Sequence, residues 1–319
     1  MKRFTSVHDV PNIDDLVRSA REFKSAPRRS ESLGSGLTMG LLFLNPSLRT
    51  RMSTHIAARN LGIDVMVLNV GNDTWSIETR DGILMDGAAG EHMKEAAGVL
   101  GRYCDLLGIR TFPGLVDRDY DYAETVLESF ITSCNKPVVS LESATRHPLQ
   151  SLADLVTIDE HKQTPRPKVV LTWAAHPKAL PQAVPNSFVE WMRRAPVDLV
   201  ITHPEGYELA EEFVGDVPVE YNQDVALDGA DFVYAKNWSS YRDYGKIVNT
   251  DPTWQITRNK MARTAQAKFM HCLPVRRNVI VADDVLDSAS SIVLDEAENR
   301  IYAAQAVLAA MVQDLRSSS

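Results

Sequence analysis

The sequence has few cysteines and lacks several features that would assign a protein class at once. Cys104, Cys134 and Cys272 are odd in number and far apart, which argues against a disulfide framework, and no C-x-x-C pair offers a zinc site. No apolar run approaches the roughly 20 residues that a membrane helix requires. No basic run is interleaved with aromatic residues, and the formal net charge is -8, so neither a membrane nor a nucleic-acid partner is expected.

Signals for export and for nucleotide binding are also missing. The N-terminal segment turns acidic too early for a signal peptide, so a cytoplasmic location is expected. The glycine-containing segment GSGLTMG at residues 34–40 overlaps the start of the first predicted strand, whereas a dinucleotide fingerprint follows its strand. No phosphate-binding G-x-x-x-x-G-K-[S/T] loop is present. A dinucleotide-dependent dehydrogenase is therefore a weaker alternative, and no metal or organic cofactor is expected.

The apolar runs predict an α/β fold with two doubly wound parallel-sheet lobes. Short runs rich in β-branched residues alternate with longer helical patterns such as those at 47–61, 91–103, 121–133 and 148–162. The runs are continuous rather than alternating, which is typical of strands that are buried on both faces of a parallel sheet. Eight strands fall into two series of four: residues 37–44, 63–70, 104–110 and 136–142, then residues 168–174, 197–203, 230–236 and 267–273.

Most predicted strands end on a polar or cationic side chain. The first series is followed by the segment SLRTR and by Arg110, Glu142 and His147, and the second by His176, Lys236 and the segment HCLPVRR. Ligands of open α/β sheets bind beyond the carboxyl ends of the strands. The pattern therefore indicates an anion-binding site built from residues that are distant in sequence.

The segment SLRTR is a candidate phosphate site. Ser47 is predicted to cap the helix that follows, so that its hydroxyl, the free N–H groups of the first turn and the helix dipole attract an anion. Arg49 and Thr50 are assigned to the ligand. A capped helix with solvated arginines explains this segment alone about equally well.

The segment HCLP raises the possibility of a cysteine nucleophile. Cys272 follows His271 directly, and the two are predicted to lie on a strand. Adjacent strand residues point to opposite faces, so a thiolate–imidazole pair is not expected.

Taken together, the segments SLRTR, HPLQ and HCLP, with Arg110, resemble the aspartate/ornithine carbamoyltransferase superfamily over essentially the whole chain. The resemblance implies two parallel α/β lobes and a homotrimer with shared active sites. It implies a carbamoyl phosphate-binding domain at residues 1–147, on which a C-terminal helix at 297–319 packs back, and an acylornithine-binding domain at 148–296. A non-catalytic, phosphate-binding oligomer is a further alternative.

The resemblance also implies roles for individual residues. Carbamoyl phosphate would be bound by Ser47, Leu48, Arg49, Thr50, Trp75 from an adjacent subunit, Arg110, His147, Gln150, Cys272, Leu273 and Arg300. The acylornithine would be bound by Gly90, Glu142, His176, Lys236 and Leu273. The catalytic residues would be Arg110, His147 and Cys272, and no residue is assigned to a metal.

Departures from ornithine carbamoyltransferases point to an acylated substrate. Those enzymes hold the free α-amine and α-carboxylate of ornithine with an aspartate and an S-M-G loop, whereas this chain has YAKNW with Lys236 and no S-M-G. Segments such as DTWSIE, WAAHPK and DEAENR instead resemble the N-acylornithine carbamoyltransferases of arginine biosynthesis. The implied amine is N-succinyl-L-ornithine, with N-acetyl-L-ornithine as the alternative.

Gly90 bears on the choice of acyl group. Acetyl-specific members carry a glutamate at this position and succinyl-specific members a proline, so Gly90 matches neither. A glutamate there would repel the distal carboxylate of a succinyl group. Its absence favours the succinyl substrate.

Overall fold

The structure is a computed structural model that describes residues 1–317. Ser318 and Ser319, the end of the helix predicted at 297–319, lie outside the described residues. The chain divides into two compact units. The first unit contains Met1–Gly114, Asp119–Leu149 and the residues from Arg300 onward, and the second contains Leu115–Arg118 and Gln150–Asn299.

The first unit contains a five-stranded parallel sheet with the order β1-β7-β6-β2-β3. Strand β2 reads TMGLLF and buries five of its six residues, as expected for a strand covered on both faces. A separate parallel pair, β4 and β5, precedes helix α3. The strands are β1 (Arg3–Phe4), β2 (Thr38–Phe43), β3 (Asp64–Asn69), β4 (Ile77–Glu78), β5 (Glu91–His92), β6 (Leu106–Arg110) and β7 (Val138–Glu142).

The register of this sheet aligns the residues at its carboxyl edge. Phe43 pairs with Arg110 across β2 and β6, and Arg110 pairs with Glu142 across β6 and β7, next to a bulge. The strand order reverses direction between β2 and β6. This is the switch point at which open α/β sheets bind ligands, and the segment SLRTR follows β2 directly.

The second unit contains a parallel sheet with the order β10-β9-β8-β11-β12. Its direction reverses between β8 and β11, where Trp173 pairs with Lys236 at the carboxyl edge. The core of this unit includes Val170, Val233 and Phe269. The strands are β8 (Lys168–Trp173), β9 (Asp198–Thr202), β10 (Val219–Glu220), β11 (Phe232–Lys236) and β12 (Lys268–Met270).

Helices connect the strands, and two of them contain residues of both units. These two are α6 (Pro148–His161) and α12 (Val293–Ser317). The others are α1 (Ile13–Ser25), α2 (Arg49–Asn60), α3 (Met93–Tyr103), α4 (Arg118–Tyr122), α5 (Thr125–Cys134), α7 (Ala183–Met192), α8 (Glu211–Val214), α9 (Gln223–Leu227), α10 (Arg258–Met261) and α11 (Asp283–Leu286). Short 3-10 helices lie at Val7–Asp9 and Pro252–Trp254.

The predicted α/β fold with two parallel-sheet lobes is confirmed, because each of the eight predicted strands is present and all pairings within the two main sheets are parallel. The structure adds the two-residue strands β1, β4, β5 and β10. No helix among the described residues is long and apolar enough to cross a bilayer.

Candidate active site

The first unit brings five of the predicted site residues into one connected group. Arg300 donates a hydrogen bond to the hydroxyl of Thr50 at 2.6 Å, and its guanidinium lies 3.5 Å from His147 Nε2. Arg110 forms a salt bridge with Glu142, whose carboxylate lies 3.6 Å from His147 Nε2. Residues from three strand ends and from α12 therefore meet in one cationic group, which we call the Arg110–His147 cluster.

His147 is neutral in this cluster. Its ring is buried, and burial together with the charges of Arg300 and Arg110 lowers its pKa well below the ordinary value. Because a guanidinium only donates, Nε2 accepts from Arg300, and the single proton of the neutral ring lies on Nδ1.

Donors of the cluster that are buried without a hydrogen-bond partner among the described residues include His147 Nδ1 and Arg110 Nε. An unpaired buried donor costs about 1–3 kcal/mol, so a pair of them in one cluster indicates a place for an acceptor. A carbonyl oxygen or an oxyanion fits that requirement.

The phosphate segment differs in one detail from the prediction. Helix α2 begins at Arg49, and its N-cap is Leu48, with no side-chain capping bond. The predicted N-cap role of Ser47 is therefore wrong, since Ser47 lies one residue before the cap. The free N–H groups of the first turn remain available for an anion, and the side chain of Leu48 is 67% exposed.

Trp75 and Gly90 lie close to each other in the first unit. Trp75 is 60% exposed, and its indole N–H donates to Glu91 at 3.0 Å. A Cβ atom added to Gly90 would lie 3.0 Å from Cγ of Trp75. The absence of a side chain at position 90 thus lets the indole pack against the backbone.

The second unit presents a buried cation at the end of β11. Lys236 is 8% exposed, and its ammonium donates to the carbonyl of Asn237 at 3.0 Å. Within the described part of the chain, no carboxylate forms a salt bridge with it. A buried charge normally has a partner of opposite sign, so the surroundings of Lys236 favour an anionic ligand.

His176 and Arg276 lie close to this cation. Arg276 Nε donates to His176 Nε2 at 2.9 Å, so the ring proton lies on Nδ1 and points to the carbonyl of Lys178. Burial, followed by the charges of Arg276, Lys236 and Lys178, lowers the pKa of His176, although the bond to the Lys178 carbonyl opposes this. In the sequence, Arg276 stands out only as part of the segment HCLPVRR at a predicted strand end, and it was assigned no binding role.

A cavity of about 410 Å³ adjoins His176. It is lined by Ala175, His176, Pro177, Thr250, Pro252, Gln255, Asn278 and Val279. Its size suits the body of a small acylated amino acid.

The segment after β12 holds the remaining predicted residues. The strand ends at Met270, so His271 and Cys272 are not strand residues, and the argument from opposite strand faces does not apply. His271 Nδ1 instead accepts the backbone N–H of Leu273 at 2.9 Å. Cys272 is a buried free cysteine, and burial is the main cause that raises the pKa of the neighbouring Tyr234 hydroxyl.

Gln150 lies at the start of α6 and is fully buried. Its side-chain nitrogen donates to Asp154 at 2.7 Å and to Glu296 at 3.1 Å. Neither carboxyl group was predicted. Within residues 1–317, no group of three His, Cys, Asp or Glu side chains is arranged to hold a metal ion.

Models of known protein families match the chain in two successive parts. Residues 2–160 match the carbamoyl-P binding domain of aspartate/ornithine carbamoyltransferases, and residues 181–311 match their Asp/Orn binding domain. The chain belongs to the aspartate/ornithine carbamoyltransferase family. The prediction of a carbamoyltransferase is thereby confirmed.

Three curated relatives cover nearly the whole chain. The N-succinylornithine carbamoyltransferases of Bacteroides thetaiotaomicron and Bacteroides fragilis are 52% and 51% identical over 99% of this chain and 100% of their own length. The N-acetylornithine carbamoyltransferase of Xanthomonas campestris is 39% identical over 99% of each chain. The chain is thus more similar to these succinyl enzymes than to this acetyl enzyme.

Solved structures of N-acetyl-L-ornithine transcarbamylase are similar to this fold. The complex with acetylcitrulline has a TM-score of 0.91 at 39% identity and covers 98% of this chain and 99% of its own. A glutamate-to-alanine mutant, solved with carbamyl phosphate and N-succinyl-L-norvaline, has a TM-score of 0.92 at 38% identity and covers 98% of this chain and 100% of its own.

Proposed function

We propose that this chain transfers the carbamoyl group of carbamoyl phosphate to the δ-amine of N-succinyl-L-ornithine, giving N-succinyl-L-citrulline and phosphate, in arginine biosynthesis. The observation that carries the choice of substrate is the identity of 52% and 51% with two N-succinylornithine carbamoyltransferases, against 39% with an N-acetylornithine enzyme. N-acetyl-L-ornithine is the alternative acceptor.

The first unit supplies the carbamoyl phosphate site. Arg49 and the first turn of α2, with Ser47 and Thr50, bind the phosphate group. The unpaired donors of Arg110 and His147 bind the carbonyl oxygen. This assignment agrees with the carbamoyl-P binding domain that matches residues 2–160, and with the predicted domain at 1–147 and its C-terminal helix from 297.

These donors also suit the reaction. Attack by the δ-amine on the carbonyl carbon gives a tetrahedral intermediate whose oxygen carries a negative charge, and donors already in place stabilise that charge. Neutral His147 offers one N–H, and the Arg110 guanidinium adds a positive charge. When the C–O bond to phosphate breaks, the phosphate leaves with that bond's electron pair and takes up the proton released by the amine.

The amine itself must be neutral to attack. An alkylamine has a pKa near 10, so only about one molecule in a thousand is free at neutral pH. Selecting and orienting that neutral form therefore accounts for much of the rate. We assign Cys272 and Leu273 to the place where the amine meets the carbamoyl carbon.

The second unit supplies the acylornithine site, which corresponds to the predicted domain at 148–296. Lys236 binds the α-carboxylate, and its lack of a carboxylate partner in the described chain supports this role. His176 lines the cavity that receives the acyl group. Glu142 was predicted to contact the acylornithine, and that contact remains a proposal beside its salt bridge to Arg110.

We also propose a cytoplasmic homotrimer in which Trp75 enters the active site of an adjacent subunit. Exposed large apolar side chains support an interface on the first unit: Leu48, Met52, Trp75, Leu84 and Met85 are each at least 42% exposed. Light scattering during size-exclusion chromatography tests the trimer.

A citrulline-type colorimetric assay tests the function. Carbamoyl phosphate is combined in parallel with ornithine, N-acetylornithine and N-succinylornithine. The highest kcat/KM is expected with N-succinylornithine. Preference for N-acetylornithine would establish the alternative, and no product with any amine would contradict the enzymatic proposal.

A further inference from the structure

Helix α12 carries one polar side chain in the middle of an apolar stretch. Residues 303–312 read AAQAVLAAMV, so Gln305 is the single polar residue among them. All of these residues except Ala310 are buried, and Gln305 is 0% exposed. A buried amide costs free energy unless its hydrogen bonds are made, so the contacts of Gln305 indicate its role.

Gln305 joins three segments of the first unit. Its side-chain oxygen accepts a hydrogen bond from Asn60 Nδ2 at 3.2 Å, and its side-chain nitrogen donates to the carbonyl of Pro27 at 2.5 Å. Asn60 is the last residue of α2 and is 7% exposed. The oxygen of the Gln305 amide is therefore bound by α2, and its nitrogen is bound by the loop after α1.

The same two helices also meet at the Arg110–His147 cluster. Arg300 of α12 donates to the hydroxyl of Thr50, near the start of α2, at 2.6 Å and lies 3.5 Å from His147 Nε2. Arg300 precedes Gln305 by five residues, or about 7.5 Å along the helix axis. Helix α12 is thus bound to α2 at two places, and one of them is where we place carbamoyl phosphate.

Apolar packing alone defines the position of α12 along its own axis only weakly. Five of the residues at 303–312 are alanines, and side chains of equal size present similar grooves after a slide of one turn, about 5.4 Å. A single buried polar residue can fix the register of packed helices at some cost in stability. A slide of α12 breaks both hydrogen bonds of Gln305, and it also carries Arg300 away from Thr50.

We propose that Gln305 is a positioning residue that sets the register of α12 on the first unit and thereby holds Arg300 against Thr50 for the binding of carbamoyl phosphate. The inference rests on the proposed function and adds a residue that acts through Arg300 without touching the substrate. The backbone of Arg300 moves with α12, so the place of its guanidinium beside the phosphate segment depends on this register.

The substitution Gln305→Met tests this role, because methionine keeps the length of the side chain and removes both hydrogen bonds. The KM for carbamoyl phosphate is expected to rise about tenfold, the value of one hydrogen bond to a charged group. The inhibition constant of inorganic phosphate should rise in parallel. The KM for N-succinylornithine should stay within about twofold, since its proposed residues Lys236 and His176 belong to the second unit. An unchanged KM for carbamoyl phosphate in the folded variant refutes the role.

The double variant Asn60→Leu/Gln305→Met separates positioning from stability. Gln305→Met alone leaves the buried Asn60 amide without its acceptor and should lower Tm, whereas replacing both polar groups by apolar groups of similar shape is nearly neutral. The double variant should therefore regain most of the lost Tm and keep the raised KM for carbamoyl phosphate. Recovery of both Tm and KM would mean that Gln305 serves stability alone. If Gln305→Met does not fold, the double variant carries the test.

A second pair of variants shows whether the effect passes through Arg300. Arg300→Lys shortens the reach of this side chain and keeps its charge. In that background Gln305→Met should change the KM for carbamoyl phosphate by less than about twofold, because residues that act through one another are not additive. An undiminished tenfold effect would show that Gln305 acts by another route and would overturn the inference.

Gln313→Met is the matched control, since it makes the same change at an exposed position of the same helix. Arg316→Ala tests a competing contact, because the exposed Arg316 donates to the carbonyls of Leu33 and Ser35 near the end of α12. Neither variant should raise the KM for carbamoyl phosphate more than about twofold, and a tenfold rise in Arg316→Ala would assign the register to the helix end instead. A wild type that transfers no carbamoyl group to any amine refutes the proposed function, whereas an active wild type with an unaffected Gln305→Met variant refutes the positioning role alone.

Discussion

The buried ammonium of Lys236 leads to a prediction that concerns stability and binding at once. Lys236→Met keeps most of the side-chain volume and removes the charge. Lys236 is 8% exposed and has no carboxylate partner in the described chain, so in the absence of substrate its charge opposes folding. The variant is therefore expected to be more stable and less able to bind the acylornithine.

The two effects have different sizes. Replacing an unpaired buried charge with an apolar side chain should stabilise the folded state by about 1–2 kcal/mol, which raises Tm by a few degrees. Losing the partner of the substrate carboxylate should cost at least about 2 kcal/mol, or a rise of roughly 30-fold in the KM for N-succinylornithine. The KM for carbamoyl phosphate should stay within about twofold, since Lys236 is not assigned to that substrate.

Lys246→Met is the matched control, because Lys246 is an exposed lysine of the same unit. Differential scanning fluorimetry and steady-state kinetics on both variants separate the charge effect from the change of residue type. A lower Tm for Lys236→Met, or an unchanged KM for the acylornithine, would refute the reasoning that the buried charge is kept for an anionic substrate.

Three further predictions follow from the first unit. Arg49→Ala should raise the KM for carbamoyl phosphate by about 10- to 100-fold through loss of a charge-assisted contact, with Arg59→Ala, near the other end of α2, as the control. His147→Asn should make the free energy of unfolding depend less on pH in the acid range. In the wild type the lowered pKa keeps the folded ring neutral, whereas the unfolded ring gains a proton below about pH 6.5. The wild type therefore loses about 1.4 kcal/mol of stability per pH unit through this group. Urea melts at pH 5.5 and 7.5 that show the same wild-type–variant difference would contradict this. Gly90→Glu should shift kcat/KM from N-succinylornithine towards N-acetylornithine by at least tenfold, since two carboxylates roughly 10 Å apart repel by about 1.7 kcal/mol at an effective dielectric constant of about 20. Gly90→Gln brings the same bulk against Trp75 without the charge, so an equal shift in both variants would mean that crowding, not charge, sets the preference.

The sequence predicted the strands well because their signal is local. Each of the eight runs is largely apolar, because a strand that is buried on both faces needs apolar side chains at consecutive positions. The helix start after β2 was harder to predict. Ser47 is a favourable capping residue, yet the helix begins after Leu48, because a cap depends on backbone angles that residue type only biases.

The connections within the cluster depend on long-range packing, which a single sequence does not reveal. Arg300 reaches Thr50 across 250 positions, and Glu296 reaches Gln150 across 146. The resemblance to a known family could point to Arg300 as a site residue because Arg300 lies in the segment DEAENR. Nothing local marks Asp154 as a buried acid, and Glu296, although it lies in the segment DEAENR, carries no local sign that the fold buries it.

The net charge of the first-unit residues that we propose to bind carbamoyl phosphate matches the charge of that substrate. Arg49, Arg110 and Arg300 contribute three positive charges, and Glu142 contributes one negative charge beside Arg110. The lowered pKa of His147 keeps its ring from adding a fourth positive charge, so two positive charges remain. A phosphate monoester carries close to two negative charges at neutral pH. Protonating His147 would disturb this balance and place a second proton on a ring whose Nε2 already accepts from Arg300, which explains why the cluster needs the neutral ring.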